Sequence, residues 1–278
     1  PIWRSLPMAA GTNAPASSSN VFTAELPGDL ARHRRLIRYR IRAQDAGGAE
    51  VLVPYPDDPQ PNFACFVHDG VPPWKGPGAG GLRGLVSAGR GGEFGTNVTR
   101  SLPSYHLISK RSSVEAAQWR EQYHGSEYKW TGTLVADGKV YDHIRYRARG
   151  GGWRYAMGKN MWKFDFHTGH ELQATDNWGR PYRERWSKLN LGACIQQADY
   201  GHRGEQGMFE AVGFALFNLA GVEAPLTHWV QLRVIDSMKL AESQGLPPWV
   251  QVDASKLEGV YKKTPDRDEF GGDIKEAL

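Results

Sequence analysis

Three consecutive glycines, Gly150, Gly151 and Gly152, stand between Arg149 and Lys159. Glycines leave backbone N–H groups open to an anion, and flanking Arg and Lys supply positive charge. Such a set is suited to holding phosphate oxygens. The same order of residues also describes an ordinary hairpin turn with a solvated basic face. Both readings need the glycines to join two strands. On one side, Ile144, Tyr146 and Ala148 alternate with Arg145, Arg147 and Arg149. On the other, Trp162, Phe164 and Phe166 alternate with Lys163 and Asp165. A period of two marks half-buried strands.

The stretch resembles the CotH (spore-coat protein H) family of atypical, secreted or surface-associated kinases. The resemblance rests on Arg149-Gly150, on Lys159 opening the aromatic strand, and on Asp199 and Arg203 before a helix. It continues with Gly221-Val222-Glu223-Ala224-Pro225 and then a strand from His228 to Asp236, covering about residues 102–236. It implies a CotH-like kinase transferring phosphate from ATP, with Mg²⁺, to Ser or Thr of secreted or surface proteins. Arg149, Gly150, Gly151, Gly152, Lys159 and Arg203 would hold the nucleotide's phosphates. Glu205 or Glu210 would position Lys159, the alternative being plain helix-start acids, which are favourable there in any case. It implies an extracellular or cell-surface location. The family's Trp-Asp-x-Asp metal-binding run is not found before Leu278, so catalytic and metal residues stay unassigned and the domain reads as incomplete.

The elements that would carry this site suggest an α+β chain. Residues 1–75 read as a β-rich segment, resembling the end of a fibronectin type III-like sandwich. Its main feature is an alternating run from Leu36 to Ala43, a turn from Gln44 to Gly48, and a return from Ala49 to Val53. Residues 76–93 read as a Gly-rich linker without apolar period. Residues 94–278 read as a kinase-like CotH domain with an antiparallel sheet and packed helices. Asp137-Gly138 supplies a tight hairpin turn between strands starting at Trp130 and Val140. Ser112 and Glu115 have capping-box spacing for a helix over 113–122. Met208, Val212, Leu216 and Leu219 form one stripe of a helix over 205–220 that should pack on the sheet.

Composition narrows the classes further. A net charge of +4 over 278 residues permits anion contacts without a concentrated basic face, which predicts no nucleic-acid partner. Cys65 and Cys194 form no zinc pattern, and whether they pair stays open. Asp266, Asp268 and Asp273 have no fixed spacing and read as a solvated tail. No stretch is apolar enough to form a transmembrane segment. Two further functions stand beside the kinase. One is a noncatalytic coat or envelope structural protein in assembly with surface proteins. The other is a carbohydrate-binding envelope protein, suggested by ten tryptophans.

Overall fold

The computed structural model describes residues 3–10, 21–75, 93–118, 128–150, 160–193, 208–237, 250–253 and 258–261. The N-terminal strands are β1 (Arg35–Tyr39), β2 (Ile41–Gln44), β3 (Glu50–Val53) and β4 (Phe63–Val67). Then come β5 (Ser104–Ser109), helix α1 (Arg111–Gln118), β6 (Trp130–Ala136), β7 (Lys139–Arg149), β8 (Met161–Asp165) and β9 (Lys188–Leu191). Helix α2 (Phe209–Leu219) and β10 (Gln231–Asp236) follow. The architecture is mixed α/β, strand-rich, with few helices.

Six strands make the central sheet, in the order β9-β8-β7-β6-β5-β10. Every neighbouring pair is antiparallel except β10, which runs parallel to β5. The β6–β7 hairpin turns at Asp137 (φ 48°) and Gly138 (φ 76°), the two positive angles that Asp-Gly accommodates. One face of the sheet buries Leu107, Leu134, Ile144, Tyr146, Ala148, Trp162 and Phe164 under Val114 and Ala117 of α1 and Leu172 and Ala174 of the following chain. Gly132 lies beneath the Tyr146 ring, where a Cβ would come within 3.1 Å of that ring and of the Ile108 carbonyl oxygen. The Tyr146 hydroxyl and Ser109 Oγ are hydrogen-bonded at 2.8 Å.

The opposite face carries a smaller apolar layer. Leu36 of β1 packs there with Ile108, Val135 and Ile235, helped by Ala64 and Phe66 of β4. His106 is 4% exposed, and its ring lies against Phe66 and, edge-on, against His68.

Three local expectations need correction. The run from Leu36 to Ala43 is not one strand. It breaks at Arg40, so that β1 pairs with β4 while β2 and β3 form the hairpin. The α1 helix begins at Arg111, and the Asp236 carboxylate accepts the Arg111 N–H at 3.3 Å, so the Ser112–Glu115 box is not its start. Among the described residues, helix α2 does not pack its apolar side chains on the sheet. Phe209, Leu216, Phe217 and Leu219 are exposed, the last at 84%. The sheet face that it was expected to cover is occupied by α1 and the chain around Leu172. The sequence of α2 is apolar nearly all round, the composition of a buried helix, yet none of its residues is buried. Most of the 76–93 linker lies outside the described residues; Glu93–Phe94 at its end pairs with Trp74–Lys75.

Two stability predictions follow from this packing. Gly132→Ala pushes a methyl against fixed backbone and an inner ring, so it should cost about 1–3 kcal/mol in urea denaturation. Burial pushes the His106 pKa down to about 4, with His68, Arg233, Arg34 and His33 acting in the same direction. The folded chain therefore holds a neutral imidazole that the unfolded chain protonates near pH 6.5. Stability from this group is whole above about pH 6.5 and falls as pH drops toward 4, by on the order of 2–3 kcal/mol. Denaturation at several pH values should show this loss, and His106→Gln should remove it.

Candidate functional site

The sheet face opposite the main core gathers the polar chemistry. Its geometry depends on a β-bulge. Gly132 pairs with Ile144 and Leu134 pairs with Tyr141, so Asp142 and His143 together stand opposite Thr133. His143 takes the extra residue's strain at φ 54°. Tyr141 and Ile144 both reach the main core as a result, and Asp142 points the other way.

Asp142 is 2% exposed, and its carboxylate is fully engaged. Arg38 donates from Nε at 2.5 Å to Oδ2 and from Nη2 at 3.0 Å to Oδ1. Thr133 Oγ1 donates at 2.5 Å, and the His143 N–H at 3.1 Å. Burial alone would raise the Asp142 pKa; the hydrogen bonds from Arg38 and Thr133 outweigh it and hold the carboxyl below its ordinary value. The pair ties β1 to β7 across 104 residues of chain.

Around this pair lies a cleft of about 540 Å³, lined by Arg38, Ser109, Lys110, Lys129, Asp142 and His143 among others. Beyond the bulge the same face continues as a basic row. Arg145 and Arg149 are exposed and Arg147 is half-buried. Arg147 stands in register with Lys163 of β8, and Lys163 with Asn190 of β9. Asp165 is the acid of this row, opposite Arg145, and the Lys129 ammonium closes over it. Arg145 and Arg149 have no carboxylate partner among the described residues. The arrangement offers guanidinium and ammonium donors, with hydroxyls nearby, to an extended polyanion.

The residues singled out in the sequence fare unequally. Arg149 ends β7, and Gly150 follows at φ 101°, a turn conformation suited to glycine. Gly151, Gly152, Lys159, Arg203 and Glu205 lie outside the described residues. Glu210 sits in the first turn of α2, where a Cβ built on Gly192 would be 3.6 Å from its carboxylate, close to the end of β9. Sequence reasoning missed Arg38 and Asp142. Arg38 lay in the alternating run from Leu36 to Ala43, which read as one strand of a hairpin. Asp142 belongs to a bulge that periodicity does not show. Thr133, at the bulge, gives no signal in sequence.

Removing Arg38 leaves Asp142 buried with fewer donors. A fully buried pair would lose about 3–5 kcal/mol. The Arg38 side chain is 40% exposed and Thr133 stays in place, so Arg38→Ala should cost about 2–3 kcal/mol. Adding Asp142→Asn to that variant should recover part of the loss, as thermal denaturation of the single and double variants would read.

No family model matches the chain, and no solved structure matches it. Curated proteins do match over a 48-residue stretch. There the chain is 77% identical to small ribosomal subunit protein uS4 of Methylibium petroleiphilum and 65% identical to that of Leptothrix cholodnii. The same protein of Paracidovorax citrulli is 54% identical over 48 residues. The stretch is 17% of this chain and 23% of each of these relatives, so the chain spans about a quarter of their length. These findings overturn the CotH resemblance and the kinase, coat-protein and carbohydrate-binding readings drawn from the sequence. The extracellular location falls with them, since the relatives are named as ribosomal and not as surface proteins. The expectation of no nucleic-acid partner falls as well. ATP and Mg²⁺ entered only through the CotH resemblance and are carried no further. The chain is thus similar, over 48 residues, to small ribosomal subunit protein uS4.

Proposed function

We propose that this chain associates with the small ribosomal subunit and contacts its RNA. The observation that carries this reading is the 77% identity, over 48 residues, to a small ribosomal subunit protein. The central sheet supports it with a surface of suitable chemistry. Arg145, Arg147, Arg149 and Lys163 stand on one face, and the acid among them, Asp165, is neutralised by Lys129. Spacing along a strand is about 6.6–6.8 Å between alternate residues, which lets successive arginines meet successive backbone phosphates. Guanidinium groups bind phosphate with two parallel donors, and contacts of this kind fix position without reading sequence.

Arg149 and Gly150 keep, in this reading, the phosphate-holding role expected of them. The phosphates are those of an RNA backbone. The Arg38–Asp142 pair holds the N-terminal segment beside the row, and Arg145 and Arg149 are the row's charges offered to the ligand.

Co-sedimentation with purified small ribosomal subunits tests the reading. The intact chain should travel with the subunits at moderate salt and be released as salt rises. Replacing Arg145 and Arg149 together by Gln should weaken the association. It should also flatten the dependence of log affinity on log salt by about 0.7–0.9 per lost phosphate contact. An intact, folded chain that stays at the top of the gradient at every salt concentration would overturn the proposal.

A further inference from the structure

A second basic feature lies away from the arginine row, where β10 and β5 meet the turn before β1. A small enclosure of about 70 Å³ is lined by His33, Arg34, His68, His106 and Arg233, with Ile235 on its apolar side. That volume exceeds what a single water needs and suits one tetrahedral oxyanion. His106 and Arg233 are register partners across the parallel β5–β10 pair, so the sheet itself places them side by side. Arg34 enters with φ 60°, a left-handed backbone that a bulky residue seldom adopts.

The donors are arranged for an anion. Neither Arg34 nor Arg233 has a carboxylate partner among the described residues. Burial, and then Arg34, push the Arg233 pKa down, so a negative charge between the two guanidiniums would relieve both. His106 is 4% exposed, and its Nδ1 is buried with no hydrogen-bond partner among the described residues. A buried polar atom left without a partner is rare in a folded protein and marks a place where a ligand atom fits. The Asp69 backbone N–H donates to His33 Nδ1 at 2.8 Å, which makes that nitrogen the bare acceptor and leaves the ring proton on Nε2. The Asp69 side chain is the acid near His68 and is exposed. A metal ion would meet two guanidiniums and a ring whose Nδ1 is already engaged, so three histidines do not make a cation site here.

We propose that this enclosure binds one phosphate group, clamped by Arg34 and Arg233 and capped by the His106 N–H. The site is separate from the arginine row and does not depend on the ribosomal reading. The phosphate can come from the RNA backbone or from a free phosphate in solution, and the experiment separates the two.

Inorganic phosphate is titrated into the whole chain at neutral pH, and histidine side-chain NMR signals are followed. The His106 and His68 signals should move together and saturate. Arg34→Gln and Arg233→Gln should each weaken phosphate at least about tenfold, the loss of one charge-assisted hydrogen bond. Lys188→Gln, on β9 at the opposite edge of the sheet from β10, should leave the affinity unchanged. Arg34 is exposed, so its variant gives the reading even if Arg233→Gln fails to fold. Histidine signals unmoved by tens of millimolar phosphate would overturn the proposal, as would equal affinity in wild type and a folded Arg34→Gln. A short single-stranded RNA is then added to the phosphate-loaded chain. Displacement of phosphate assigns the site to a backbone phosphodiester, and retention assigns it to free phosphate.

Discussion

One extra residue in β7 governs how this sheet divides its two faces. A strand of strict alternation would bring Asp142 and Ile144 to the same side. The bulge at Asp142 and His143 sends Asp142 to one face and keeps Tyr141, Ile144, Tyr146 and Ala148 on the other. From that single shift come the seat for Arg38, the attachment of β1 to the sheet, and the outward turn of Arg145 and Arg149. Bulges commonly re-aim side chains next to functional surfaces. Here the carboxylate so aimed is consumed within the protein, by Arg38 and Thr133, and does not repel an incoming anion.

Charge is distributed the same way. The chain's net charge is only +4, yet the sheet places its cations in register and ties the nearby acids to internal partners. Local field, not net charge, determines what a polyanion meets at close range, because interactions beyond about 8–10 Å are screened at physiological salt. The smaller enclosure around His106 repeats the theme at the edge of the same face. There, two guanidiniums line one enclosure without a carboxylate partner among the described residues, beside the His106 imidazole, which burial keeps neutral.

The strands flanking the glycines were legible in the sequence, and so was the β6–β7 hairpin, because period-two burial and Asp-Gly chemistry are local properties. Phe164 and Tyr146, both fully buried, sit where the alternation puts them. The strand β10 was legible, but its parallel pairing beside β5 was not, since pairing of distant segments leaves no local trace. The break at Arg40 was hidden for a related reason: alternation continues through it while the pairing partner changes. Helix α2 misled through its composition, which looks like a core helix although the core had already been filled by α1. Glycine, lysine and arginine near one another suggested a nucleotide site. That pattern registers affinity for phosphate in general and does not identify the molecule that carries it.

The central claim is that the arginine face of the sheet meets RNA. Ultraviolet crosslinking of the chain to small-subunit RNA, with the crosslinked peptides mapped by mass spectrometry, tests it most directly. The account predicts crosslinks in peptides from β7 and β8, lost when Arg145 and Arg149 are replaced by Gln. Crosslinks confined to other parts of the chain and unaffected by that replacement would contradict it.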